Sequence, residues 1–198
     1  MRTLLATLTA LMLFATPVGA GDLEDGFAAY EAGDYQKAFR LFKWLAQQGH
    51  MSAQHNLGFM YAKGWGVPTN NVKAIYWFRK AAEQGHASAQ NHLALMYAGG
   101  KGVPADDAKA YYWWRKAAEQ GNASAQFLLG AMYAEGVGVP KDYVKAYAWS
   151  SIAATQGYEE AKKNKGIIQE EMAPTQIAEA QKLSSEYWEK HVVPFQKD

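Results

Sequence analysis

Five histidines are the side chains of this sequence best suited to binding a metal or moving a proton near neutral pH. They are His50, His55, His86, His92 and His191. His50 and His86 occupy equivalent positions of a repeating pattern, and His55 and His92 lie on successive predicted helices, where they can approach each other. A zinc site takes three or four ligands at matched spacing, and the sequence holds no such set. We therefore predict no metal site and no cofactor.

Nucleophiles and acid–base pairs are also poorly represented. The chain has no cysteine, which excludes thiol catalysis and cysteine-based zinc sites. No serine begins an S-x-x-K motif, and no G-x-S-x-G motif is present. Adjacent carboxylates such as Asp106-Asp107 and Glu159-Glu160 point in different directions on a helix and make poor acid–base pairs. We therefore predict that the protein is not an enzyme.

Two aromatic runs, at 76–78 and 111–114, have the composition of a stacking platform for sugars or bases. Their tryptophans, however, recur every 36 residues on the predicted second helix of each unit, which favours core packing. The recurring tryptophans are Trp77, Trp113 and Trp149. Tyr76 and Tyr112 share a position that also holds polar and small residues, so we expect them to be partly exposed. Together with Trp65, they leave a glycan-binding surface open as an alternative.

A 36-residue interval organises most of the chain. Units that repeat at this period stack as helical pairs, because no single pair can bury its apolar faces alone. Three whole units occupy 52–159. The recurring residues are Gly49, Gly85, Gly121 and Gly157; Lys37, Lys73, Lys109 and Lys145; and Pro68, Pro104 and Pro140.

Within a unit the apolar spacing is helical. Ala53, Leu57 and Tyr61 fall on one face of a first helix, and the Gly and Pro residues at 64–68 end it. Side chains suited to N-capping follow each proline and begin a second helix, which a glycine ends in the left-handed region. The sequence predicts an all-α, right-handed α-solenoid. The expected N-caps are Asn70, Asp106 and Asp142.

The two ends of the chain depart from the repeat and are expected to act as caps. Residues 21–51 predict a helix pair in the tetratricopeptide style, with helices at 22–32 and 34–48. Residues 160–198 predict a partial repeat and a last helix at 175–190. Capping units present a polar outer face, and the density of Glu and Lys at these ends agrees.

Residues 1–20 have the composition of a cleaved signal peptide. Arg2 precedes an apolar run of about 12 residues, too short for a bilayer span, and small residues precede a predicted cleavage between Ala20 and Gly21. An uncleaved N-terminal anchor is the alternative. Beyond residue 20 the body holds 19 basic and 19 acidic residues, which argues against nucleic-acid binding. We expect a periplasmic or secreted protein that does not insert into membranes after processing.

Residues 52–159 resemble the Sel-1-like repeat, a relative of the tetratricopeptide repeat. The resemblance rests on the pattern A-Q-x-x-L-G-x-x-Y-x-x-G-x-G-V-P-x-D-x-x-K-A, with departures at Ala94 and at Ser150-Ser151. It implies stacked helix pairs forming a superhelix, and a role as an adaptor or scaffold for other proteins. Some cysteine-rich relatives are described as active on β-lactams, so such a hydrolase is a further alternative.

Specificity is expected at positions where the three units differ. On the first helices these positions are spaced by three, four and four residues, which predicts that each set lies on one helix face. The resemblance places that face on the concave wall of the superhelix. Packing against neighbouring helices is the alternative for the same residues. The predicted partner-binding residues are His55, Phe59, Lys63, Asn91, Leu95, Phe127, Ala131 and Glu135. We thus expect a monomeric, exported adaptor that binds segments of other proteins and serves in envelope signalling or complex assembly.

Overall fold

The computed structural model describes residues 20–196. The predicted leader therefore falls almost entirely outside the described residues, and its cleavage stays a prediction. Across the described part the chain forms ten α-helices, a short 3-10 helix at Val193–Phe195 and no strand. None of these helices is long and apolar enough to span a membrane. The helices are α1 (Ala20–Glu31), α2 (Tyr35–Gln47), α3 (Met51–Lys63), α4 (Asn71–Glu83), α5 (Ala87–Ala98), α6 (Asp107–Ala118), α7 (Ala123–Glu135), α8 (Tyr143–Thr155), α9 (Glu159–Glu170) and α10 (Pro174–His191).

The first eight helices form four consecutive pairs. Helix α1 packs on α2, α3 on α4, α5 on α6, and α7 on α8. The second helix of each pair packs on the first helix of the next, which gives the nearest-neighbour contacts of a solenoid. The predicted all-α solenoid is therefore confirmed.

Local capping residues set the helix ends. The side chains of Asn70, Asp106 and Asp142 accept hydrogen bonds from the backbone N–H three residues later, at 2.9–3.0 Å. Each satisfies a donor that the first helical turn leaves free. At the other end of α4, Gly85 has a φ of +98°, the left-handed conformation predicted for it.

In the first two repeats the innermost residue of the second helix lies one position beyond the expected tryptophan, whereas in the third the expected Trp149 is itself buried. Trp77 and Trp113 are only half-buried, whereas Phe78 is 1% exposed and Trp114 5% exposed. Gly58 on α3 makes room for Phe78, because a methyl group at Gly58 would lie 2.8 Å from Cδ1 of the ring. The expectation that Trp77 and Trp113 face the core is therefore corrected to half-burial beside it.

Paired glutamines tie each unit to the next. The side-chain amide of Gln90 donates to the carbonyl of Ala82 at 3.0 Å and accepts from Gln120 at 2.7 Å. The same two bonds recur 36 residues earlier at Gln54 and 36 residues later at Gln126. These buried amides satisfy helix-end carbonyls that packing removes from water.

Helix α10 breaks the pattern of pairing. It packs directly on α8, as does α9. The ring of Tyr187 lies 4.4 Å from that of Trp149, and Nδ1 of His191 donates to the carbonyl of Glu119 at 3.2 Å. Trp149 is 4% exposed as a result. The C-terminal helix thus closes the solenoid by lying back against the third repeat.

Candidate interaction groove

A groove of about 620 Å³ runs between α3 and α5, the first helices of the first two repeats. Its walls are mainly aromatic and aliphatic side chains, and Leu95 is 41% exposed within it. Helices α3 and α5 follow one another at the 36-residue period, so equivalent residues face each other across the space. We call this the α3–α5 groove, lined by Phe59, Ala62, Lys63, Asn71, Phe78, His92, Leu95, Met96, Ala98, Gly99 and Lys101.

Two cationic side chains line the α3–α5 groove. The ammonium of Lys63, in the last turn of α3, lies 5.7 Å from the centroid of the Phe59 ring. Lys101, in the loop that follows α5, also lines the groove. The ion pairs found within the described part of the chain all involve other basic residues. The first residue of α4, Asn71, also lines the groove, and a helix N-terminus carries partial positive charge.

Three of the eight predicted binding residues meet in this groove. Phe59, Lys63 and Leu95 line it together. Two others, Ala131 and Glu135, lie further along the solenoid on α7, where Ala131 is half-buried and Glu135 is exposed.

The remaining three predicted residues lie in contacts between helices. His55 stacks on His86 with ring centroids 4.6 Å apart, and Phe127 stacks on Tyr158 at 5.1 Å. Asn91 is 8% exposed and accepts a hydrogen bond from Nε1 of Trp114 at 3.0 Å. Asn91 is therefore buried rather than solvent-facing as expected, and His55 and Phe127 are only half-exposed between helices. Their part in partner binding stays a prediction.

Helix geometry explains this division. Residues four apart are rotated by about 40° around an α-helix, so a row at intervals of four residues winds around it. The row that begins at His55 has turned by about 80° when it reaches Lys63. Its first member faces the neighbouring helices, and its last faces solvent.

Several groove residues escaped sequence reasoning. Phe78 and Met96 occupy positions that the repeat pattern assigns to the core. His92 is one of the histidines considered as metal ligands. Lys101 stands where the other two repeats have Trp65 and Val137, so variation between units was the available signal. The loops that follow the first helices thus vary between units as the first helices do.

A cluster of three histidines lies beside the groove. Nε2 of His55 is 3.2 Å from Nδ1 of His92, and Nδ1 of His92 donates to the carbonyl of Ser88 at 2.8 Å. Nδ1 of His86 accepts from the N–H of Ala89, so that nitrogen carries no proton. Burial, with smaller effects of His86 and His92, lowers the pKa of His55 to about 3.

The other two rings of the cluster share this behaviour. Burial lowers the pKa of both His86 and His92 below the ordinary value. All three are therefore neutral at physiological pH and pack as aromatic rings. Within residues 20–196 no group of three or more histidines and carboxylates is arranged to hold a metal ion.

The residues of the alternative glycan surface are dispersed. Trp65 is half-buried and stacks on Tyr35 with centroids 5.0 Å apart. Tyr76 and Tyr112 are 53% and 50% exposed on successive second helices, and Lys80 lies over the Tyr76 ring. These rings form no common stacking platform with Trp65, which is packed against the N-terminal cap.

The sequence matches the family model of the Sel1 repeat at residues 23–50, 52–86, 87–122 and 123–158. The model therefore extends the repeat into the N-terminal helix pair.

Two solved structures share the fold. A Sel1 repeat protein from Oxalobacter formigenes is 38% identical over 72% of this chain and 58% of that one, with a TM-score of 0.69. The protein c5321, described as a protective antigen of uropathogenic Escherichia coli strains displaying an SLR fold, is 30% identical over 88% of this chain and 48% of that one, with a TM-score of 0.61. The chain thus spans about half the length of these relatives. No curated protein shows a significant match.

Proposed function

The chain belongs to the Sel1 repeat family, and on that premise we propose that it is an exported adaptor that binds a segment of a partner protein in the α3–α5 groove. Proteins of this family generally mediate protein–protein interactions, and their fold is typically a non-enzymatic scaffold. The protein would act by docking, with no chemical step. Envelope signalling and complex assembly are the settings we propose for it.

One observation carries the proposal: the α3–α5 groove presents apolar side chains to solvent beside a cationic rim. Leu95 is 41% exposed although it is a large aliphatic residue, and Phe59 and Met96 flank it. Protein interfaces commonly combine an apolar centre with a polar rim. The volume of about 620 Å³ is within the range that binding pockets occupy.

Export is supported by the sequence of residues 1–20 alone. A single basic residue, a short apolar run and small residues before Gly21 have the order that signal peptidase recognises. Mass spectrometry of the protein recovered from fractionated cells tests it. We expect an N-terminus at Gly21 in the periplasmic or secreted fraction, and an intact N-terminus in the membrane fraction would contradict the proposal.

Site-specific photo-cross-linking tests the docking role. A photoreactive residue at Leu95 should give discrete adducts with partner proteins in the native cells. The matched control is the same residue at Gln169, which is exposed on α9 and outside the groove. Equal adducts from both positions, or none from Leu95, would contradict a docking role for the groove.

A further inference from the structure

We propose that the α3–α5 groove selects an acidic segment, in which an aromatic or aliphatic anchor side chain is followed within a few residues by carboxylates. This inference rests on the proposed function and specifies the chemistry of the partner. It comes from the chemistry of the residues that line the groove, which are mainly apolar and include two lysines and no carboxylate.

The two lysines come from two successive repeats. Lys63 lies in the last turn of α3, and Lys101 lies in the loop that follows α5. Both line the groove, and the carboxylates of the described ion pairs engage other lysines and an arginine. Two lysines free of such ion pairs in an apolar groove attract negative charge and disfavour positive charge.

Lys101 is specific to the second repeat. The equivalent residues are Trp65 in the first repeat and Val137 in the third. Trp65 packs against Tyr35 and Phe59, so its role is to join the N-terminal cap to the first repeat. The substitution of a lysine at this position places a second cation beside Lys63 in this groove.

The other residues that line the groove carry no charge. His92 contributes to the floor, its Nδ1 donates to the carbonyl of Ser88, and its ring stacks on Phe78 with centroids 5.1 Å apart. The Phe59 ring contacts both this aromatic floor and Lys63, because its centroid lies 5.5 Å from that of His92 and 5.7 Å from the ammonium of Lys63. The arrangement therefore sets an orientation, with the anchor over Phe59 and Leu95 and the carboxylates next to Lys63 and Lys101.

Peptide binding measured by fluorescence anisotropy on the purified full-length protein tests the inference. The probe is a labelled nonapeptide with blocked ends and a central phenylalanine followed by two aspartates. We expect it to bind about tenfold more tightly than the same peptide with two lysines in place of the aspartates, and its affinity to fall as salt is added. Replacement of the phenylalanine by alanine should abolish binding.

Charge reversal in the protein locates the effect. Lys101→Glu should weaken binding of the acidic peptide by about tenfold and strengthen binding of the basic one. Lys163→Glu makes the same change of net charge on the exposed face of α9 and should leave both affinities unchanged. Equal weakening by the two variants would show a nonspecific charge effect and overturn the inference.

The outcomes separate this inference from the proposed function. If acidic and basic peptides bind equally well and Leu95→Glu abolishes both, the groove binds proteins without acid selection, and only the inference fails. If a neutral peptide with a free C-terminus binds best, the groove recognises a terminal carboxylate, and the inference of an internal acidic segment is wrong. If no peptide binds and Leu95 gives no cross-links in cells, the proposed function fails as well.

Discussion

The ring of His55 stacks on the ring of His86, with centroids 4.6 Å and planes 16° apart, where the first repeat meets the second. Two repeats later the equivalent residues, Phe127 and Tyr158, stack in the same way at 5.1 Å. The contact between a first helix and the N-cap residue of the next first helix is therefore made by two stacked rings at both junctions, although the residue types differ. Only the histidine pair can gain a proton in acid, which makes the first junction sensitive to low pH.

We predict that acid destabilises the fold through His55. The pKa of its imidazole falls from 6.5 to about 3 in the folded protein, so below pH 6.5 the unfolded chain binds a proton that the folded chain does not. Stability is fully present above pH 6.5 and is lost as the pH falls. At pH 5 the loss from His55 alone is about 2 kcal/mol, measurable by urea denaturation at pH 7.5 and pH 5.

The matched variant is His55→Phe, which keeps a ring at this position and removes its titration. Its stability should fall less between pH 7.5 and pH 5, by about 2 kcal/mol. His86, His92 and His191 also have lowered pKa values and will leave a residual slope of the same sign. Identical slopes for the variant and the natural protein would show that His55 does not carry the effect.

Two glycine substitutions are predicted to have opposite effects. A methyl group at Gly58 would lie 2.8 Å from the buried Phe78 ring, whereas one at Gly166 on α9 would meet no atom within 4 Å. Gly58→Ala should therefore cost about 1–3 kcal/mol through overpacking. Gly166→Ala should stabilise by up to about 1 kcal/mol because alanine favours a helix. Thermal unfolding measures both, and a shift of Tm in the same direction would contradict the packing argument.

Leu95 and Phe127 are predicted to separate binding from stability. Leu95 is exposed in the groove, so Leu95→Glu should reduce partner cross-linking and peptide binding by at least about tenfold with little change in Tm. Phe127 is half-buried on Tyr158, so Phe127→Glu should destabilise by about 2 kcal/mol because it buries a charge. Thermal unfolding followed by circular dichroism, together with the binding assay, checks both variants. A lower Tm for Leu95→Glu would mean that Leu95 belongs to the core.

Local signals made most of the fold predictable. The caps at Asn70 and Gly85 depend on nearby backbone groups, so their residue types are informative without knowledge of the tertiary structure. Local sequence does not determine whether Trp77 or Phe78 is the innermost residue of α4. Neighbours on a helix are about 100° apart, and packing against the adjacent first helix, such as that of Phe78 on Gly58, decides which of the two enters.

The groove was predictable only in part for a similar reason. Variation between repeats identified Phe59, Lys63 and Leu95, since solvent-facing positions are free to differ. It also selected His55 and Phe127, because a contact between repeats can vary when both partners change together. The sequence of one chain does not distinguish free variation from paired variation unless the partner residue is already known.

We predict that the C-terminal helix stabilises only the end of the solenoid against which it packs. Tyr187 of α10 lies 4.4 Å from the ring of Trp149, and α10 packs on α8. Tyr187→Ala should therefore cost about 2–3 kcal/mol, less than full removal of a buried aromatic ring because Tyr187 is half-buried.

In a solenoid each unit contacts only its neighbours, so this loss should remain local. Hydrogen exchange should rise in α8, α9 and α10, while α1–α4 keep their protection. Tyr76→Ala is the matched control, because Tyr76 is 53% exposed on α4 and its loss should change exchange little anywhere. Uniform loss of protection along the whole chain in Tyr187→Ala would show instead that the repeats unfold as a single cooperative unit, with α10 as an integral part of it.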